Sequence, residues 1–181
     1  KLLNFKNIFS TINRECANHH IQAGKLEIFK DSLLLTTGAD INSNKDETDP
    51  KPQDDNSIYG KILKVNINNS SFEIFNKGHR NSLGLYADNN IILSTENGPR
   101  GGDEINVEIQ GRNYGWDLAS YGKKYRSNFK YQDHEKNGFQ EPLFAFVPSI
   151  GISEIIKLKN NFSNEWDDNY LVGSLMNRHL Y

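Results

Sequence analysis

Read as apolar and polar positions, the chain is a series of short apolar runs separated by polar turns. Residues 19–40, "HHIQAGKLEIFKDSLLLTTGAD", alternate Leu26 and Ile28 with Glu27, turn at Lys30-Asp31-Ser32 and return through Leu33-Leu34-Leu35. Apolar alternation of period two, bounded by turn residues, predicts a hairpin. Residues 83–98, "LGLYADNNIILSTENG", repeat that layout across Asp88-Asn89-Asn90. The run Ile91-Ile92-Leu93 is apolar throughout, which predicts a strand buried on both faces. A copy with a longer turn lies at 152–175, and residues 58–78 form another hairpin around Asn68-Asn69-Ser70-Ser71. Residues 1–18 fit neither template cleanly. They read as a strand and a loop, with a short amphipathic helix as the alternative. No segment sustains a 3.6-residue period, so the expected fold class is all-β.

Composition narrows the picture without redirecting it. The 181 residues suffice for one domain with a real core. They are 36% hydrophobic and 24% charged, with net charge −2, a balance that points to neither nucleic acid nor an anionic membrane as partner. No apolar run reaches the length of a membrane span. The one cysteine, Cys16, rules out an internal disulfide. Residues 41–57 are polar, charged and broken by two prolines, which predicts a long surface loop.

The chemistry concentrates in residues 78–122. The buried run empties into "ENGPRGGDE", where Pro99 lacks a backbone donor and Gly98, Gly101 and Gly102 tolerate positive φ. Carbonyls outside a ladder, with Asp103 and Glu104, are hard oxygen ligands of the kind calcium takes. Upstream, His79-Arg80-Asn81 clusters donors; downstream, "GRNYGWD" sets two aromatics beside glycines. By itself the loop reads as a solvated surface turn. It has neither phosphate-loop nor dinucleotide spacing, and it is not an EF-hand. His134, in the polar stretch after Gly122, is a ligand or base by type, although a lone His in such a stretch is more often solvated.

"GHRNSLGL", "ENGPRGGDEIN" and "GRNYGWD", in this order and spacing, closely resemble the glucose/sorbosone dehydrogenase family; the resemblance runs more weakly from about Leu26 to Tyr181. It implies a six-bladed β-propeller, for which the repeated hairpins supply one unit per blade. At roughly 40–50 residues per blade the chain would hold about four, a fragment of a longer propeller. The resemblance also implies oxidation of aldose sugars by hydride transfer to pyrroloquinoline quinone (PQQ) with calcium. An external electron acceptor and a periplasmic or secreted location follow from it. It places the cofactor-binding pair on Arg80 and Asn81, and the calcium beside the quinone on the carbonyls of Gly98 and Pro99. A structural calcium falls on the Glu104 side chain and the Tyr114 carbonyl.

The departures bear on the chemistry. The family's base is a His three residues before the Gly that corresponds to Gly24; that position is Ile21, so His20, one residue earlier, becomes the candidate catalytic base. A cofactor-contacting Lys of the family corresponds to Met176, and Asn97 stands where His or Gln is usual. The alternative is therefore a non-catalytic, calcium-binding propeller that acts as a carbohydrate- or protein-binding module.

Overall fold

The computed structural model describes residues 6–10, 23–39, 48–159 and 162–181. Among the described residues ten strands run in chain order: β1 (Leu26–Phe29), β2 (Ser32–Thr37), β3 (Lys61–Asn66), β4 (Phe72–Lys77), β5 (Ser82–Ala87), β6 (Ile92–Glu96), β7 (Asp103–Val107), β8 (Phe144–Phe146), β9 (Ile152–Lys157) and β10 (Tyr170–Ser174). The one helical element described is a single 3-10 turn at Glu135–Asn137. The strands form two four-stranded antiparallel meanders, β1-β2-β3-β4 and β5-β6-β7-β8, followed by the hairpin β9-β10. The all-β expectation holds, and the consecutive meanders are units of a β-propeller.

The turns fall where the polar clusters predict. Leu26 pairs Leu35 across Lys30 and Asp31, and Lys30 takes the left-handed φ of 55° that closes so tight a turn. β6 is buried at all five positions, as its apolar entry suggests. β2 instead alternates: Leu34 is fully buried, while Leu33 and Leu35 are half-buried.

Length alone suggests four units. The described residues make two complete sheets and a hairpin, because two connections are long. Residues 38–60 separate β2 from β3, and 108–143 separate β7 from β8.

Successive sheets pack face to face. Leu34, Ile62 and Phe75 of the first sheet meet Leu85 and Ile92 of the second. Leu93 packs in turn with Ile150, Ile152, Ile155 and Val172 of the third unit. Each such side chain contributes about 1.5–3 kcal/mol on burial. The sheets approach so closely at Gly84 that a Cβ there would sit 2.7 Å from the Ile155 amide nitrogen. Only glycine fits that position.

Residues 41–47 of the polar loop lie outside the described residues, but the rest is not simply solvated. Asp49 and Pro52 are buried. The fully buried Lys61 ammonium donates to the carbonyls of Lys51 (2.8 Å), Pro52 (2.9 Å) and Tyr59 (2.9 Å), which clamps this turn onto β3. Among the described residues no helix is long and apolar enough to cross a membrane.

Candidate functional site

The chemistry-bearing motifs meet at one end of the second sheet, where β5 begins, β6 ends and β7 begins. The link from β4 to β5 carries His79, Arg80 and Asn81; the β6–β7 loop carries residues 97–102. The Asn97 amide donates to the Asn81 carbonyl at 2.9 Å and ties the two together.

Asp103 organises the loop. Its Oδ1 accepts the Gly98 amide (3.0 Å), and its Oδ2 accepts the amides of Ile150 (3.1 Å) and Ile152 (2.8 Å). The sequence counted Asp103 with Glu104 as a hard metal ligand. Here both its oxygens are engaged by backbone, so it is a staple between the loop and the next unit. Gly101 and Gly102 adopt φ of 80° and 79°, and a Cβ on Gly102 would lie 2.3 Å from the Gly122 nitrogen. Gly98 keeps an ordinary φ, but its Cβ would lie 2.0 Å from the Gly102 carbonyl oxygen.

Beneath the loop lies a buried acid cluster. Glu96 accepts from the amides of Arg80 (2.8 Å) and Asn81, from the Ser82 hydroxyl (2.7 Å) and from His79 Nδ1 (3.1 Å). Burial pushes the Glu96 carboxyl up, but His79 and these donors bring it below its ordinary value. Burial pulls His79 down, yet Glu108 and Glu96 raise it on balance. Glu108 is raised, first by burial. The His79 ring stacks on Tyr114 at 4.6 Å.

Above this cluster, Arg80 is 8% exposed, with Nη1 bonded to the Asn97 carbonyl at 2.5 Å. Its guanidinium lies 5.4 Å from the Trp116 ring centre. Burial lowers its pKa, against the pull of Glu96. Arg80 Nε, Asn81 Oδ1 and Trp116 Nε1 are buried without a hydrogen bond among the described residues. Orphaned polar atoms of this kind cost about 1–3 kcal/mol each unless a ligand or water meets them.

On the other side of a small shared cavity are Glu104, Asn106, Tyr114 and His134. Glu104 lies directly across from Glu96 in the β6–β7 register. Burial, then the Glu96 charge, pushes it up to about 8. Among the described residues its one side-chain hydrogen bond comes from Asn106 Nδ2 at 3.4 Å, and Asn106 Oδ1 has no partner. His134 is buried rather than solvated. Its ring stacks on Tyr121 at 5.3 Å. Burial lowers its pKa. Among the described residues no group of three or more His, Cys, Asp or Glu is placed to hold a metal. A cation here would depend on one carboxylate with carbonyl and amide oxygens, which is calcium's donor type.

The structure thus gathers Arg80, Asn81, Gly98, Pro99, Glu104 and Tyr114 at one end of one sheet. His20 and Ile21 lie outside the described residues. Met176 follows β10 and is 68% exposed. Sequence reasoning gave no role to Glu96, Glu108, Asn106 or Trp116. Glu96 and Asn106 sit inside the motif "ENGPRGGDEIN", so their position was the available signal.

The profile of the glucose/sorbosone dehydrogenase family matches residues 1–181. The chain belongs to this family. Among family relatives, the aldose sugar dehydrogenase YliI of Escherichia coli (strain K12) is 26% identical over 196 residues, covering 98% of this chain and 51% of the relative. Quinoprotein glucose dehydrogenase B of Acinetobacter calcoaceticus is 33% identical over 114 residues, 56% of this chain and 23% of the relative. A solved glucose dehydrogenase superposes with a TM-score of 0.82 at 26% identity, covering 99% of this chain and 54% of that one. The soluble aldose sugar dehydrogenase of Escherichia coli, solved in its apo-form, gives 0.77 at 26%, covering 92% and 52%. This family member spans about half the length of the full-length relatives and structures it matches.

Proposed function

We propose that the full-length protein oxidises aldose sugars with PQQ and calcium, and that this chain carries the quinone-binding pair and the metal loop. The observation that carries this reading is the convergence of Arg80 and Asn81, each with a buried unpartnered polar atom, on the Gly98-Pro99 loop. Similarity to a quinoprotein glucose dehydrogenase and an aldose sugar dehydrogenase supports it.

The residues present fit the implied groups. A planar, carboxylate-bearing quinone suits a guanidinium, which binds such oxygens through a charge-assisted fork. The orphaned Arg80 Nε supplies a donor and the Asn81 Oδ1 an acceptor. The carbonyls of Gly98 and Pro99 would hold the calcium beside the quinone. Glu104, with the Tyr114 carbonyl, would hold the structural one, where a cation would offset the carboxylate's burial. When bound, the quinone supplies the hydride acceptor that side chains cannot, and calcium the charge that polarises it. His20 would accept the proton of the sugar's anomeric hydroxyl. A periplasmic or secreted location accompanies this reading.

The test is reconstitution of the full-length protein with PQQ and calcium. Cofactor absorbance and dye reduction by aldoses are expected, and His20→Ala should cut turnover by about 100-fold or more. Failure to take up PQQ would sink the reading. The exposed Met176, standing where the resemblance places a Lys, favours the second reading in that event: a calcium-binding propeller without redox chemistry.

A further inference from the structure

His79 and Glu96 have no part in the reaction as proposed, yet both are buried and every polar atom of their side chains is engaged. Glu96 offers two oxygens with about four acceptor sites. Oε1 takes the amides of Arg80 and Asn81; Oε2 takes the Ser82 hydroxyl and His79 Nδ1. All four donors come from the consecutive residues 79–82. The hydrogen bonds of this carboxylate therefore do not join sheet to sheet. They all go to the one short link that presents the Arg80 and Asn81 side chains.

The protons on His79 follow from its neighbours. Asn76 Nδ2 donates to Glu108 at 2.5 Å, which leaves Asn76 Oδ1 facing His79 Nε2 at 3.0 Å. An amide oxygen can only accept, so Nε2 carries a proton. Nδ1 faces a carboxylate and carries one too. His79 is held between Glu96 and Glu108 and against the Tyr114 ring, and so fixes the Glu96 carboxylate in place.

We propose that Glu96 is the positioning residue of the Arg80–Asn81 pair, with His79 holding the Glu96 side chain in the place where it meets all four donors. This rests on the reading that Arg80 and Asn81 bind the quinone. Two adjacent amides on one carboxylate oxygen set the backbone direction of both residues, and hence the angle at which their side chains leave the link. A pair aimed in advance loses less freedom on binding. Of the three donors in "HRN", two are then ligands and one a support.

The test uses the full-length protein and Glu96→Gln, which keeps size and shape but turns one acceptor oxygen into a donor facing Ser82 and His79. Two readouts are taken: the PQQ dissociation constant, and amide exchange of the peptide spanning residues 79–82 in the cofactor-free protein. Affinity should fall about 10–100-fold, and the 79–82 amides should exchange about tenfold faster or more, with β2 and β3 unchanged. His79→Gln should move both readouts in the same direction by less. Ser94→Ala, which touches Glu108 but not Glu96, should lower stability and move neither. Should Glu96→Gln not fold, Ser82→Ala removes one donor from the same carboxylate and should weaken PQQ binding about threefold. The proposal is overturned if Glu96→Gln binds PQQ within twofold of the parent, or if the 79–82 amides keep the parent rate. If the parent takes up no PQQ, the quinone reading fails and takes the proposal with it. The failures are distinguishable because the first appears only in the variant.

Discussion

The first and second sheets share strand order, antiparallel pairing and a face-to-face core, yet they treat buried charge in opposite ways. In the first, Lys61 is fully buried and its ammonium meets three carbonyls. In the second, Glu104 is buried against another carboxylate, with one long hydrogen bond. Unpartnered Arg80 Nε, Asn81 Oδ1, Asn106 Oδ1 and Trp116 Nε1 collect at that same end. Topology cannot account for the difference. A sheet that carries its own complement for each buried charge is scaffold; one that leaves buried charge and polar atoms unmet is built around something else.

The largest effect expected from breaking this contrast is at Asp103. Asp103→Ala in the full-length protein leaves three buried amides without an acceptor, and should destabilise by about 3–5 kcal/mol in denaturant unfolding. A loss under 1 kcal/mol would remove the staple from the account. Lys61→Met keeps the stem but strands three carbonyls, so a loss of about 2–4 kcal/mol is expected by the same measurement. A neutral result would mean the cage is incidental.

Glu104→Gln should act the other way. In calcium-free buffer at pH 9 it removes an uncompensated buried charge and should stabilise by about 2 kcal/mol. The parent should lose melting temperature on chelation and the variant should not. A parent indifferent to chelator would mean that Glu104 holds no cation.

The pH profile sharpens the comparison further, because both groups lie near 8. Glu104 is raised from 4.5 to about 8. Between those values the unfolded chain has lost the proton that the folded one keeps, so stability falls as pH rises. Lys61 is lowered from 10.5 to about 8, by burial and then by the charge of Lys77. From 8 to 10.5 the unfolded chain keeps the proton that the folded one has lost, so stability rises. Metal-free protein should therefore show a stability minimum near pH 8, with arms of roughly 1–3 kcal/mol. Glu104→Gln should flatten the acid arm, and Lys61→Met the alkaline one. If both variants retain the minimum, other groups cause it. The smallest effect is reserved for the surface: Lys64→Ala breaks the 3.1 Å pair with Glu73 on the first sheet and should cost under about 1 kcal/mol.

Much of the fold was legible because its signals are local. Period-two alternation, the turn at Lys30-Asp31 and the apolar entry to β6 depend only on neighbours in the chain. The motif residues were legible as a set, since Gly98, Pro99, Glu104 and Tyr114 sit within one short stretch. The partition of roles inside the set was not. Asp103 and Glu104 are adjacent acids on one strand, and successive side chains of a strand point to opposite faces. One therefore reaches the amides of Ile150 and Ile152 and the other reaches the cavity, a division that depends on where the third unit lies. His79 was only one donor in a cluster with Arg80 and Asn81 until Asn76, Glu96 and Glu108 closed around it. His134 looked solvated until residues 108–143 folded back over Tyr114. By itself the sequence determined which segments are strands, where they turn and which family they serve. Only the tertiary structure decided which polar groups are satisfied and which are left waiting, because hydrogen-bond partners here come from residues up to 129 positions apart, brought together by packing that no local pattern records.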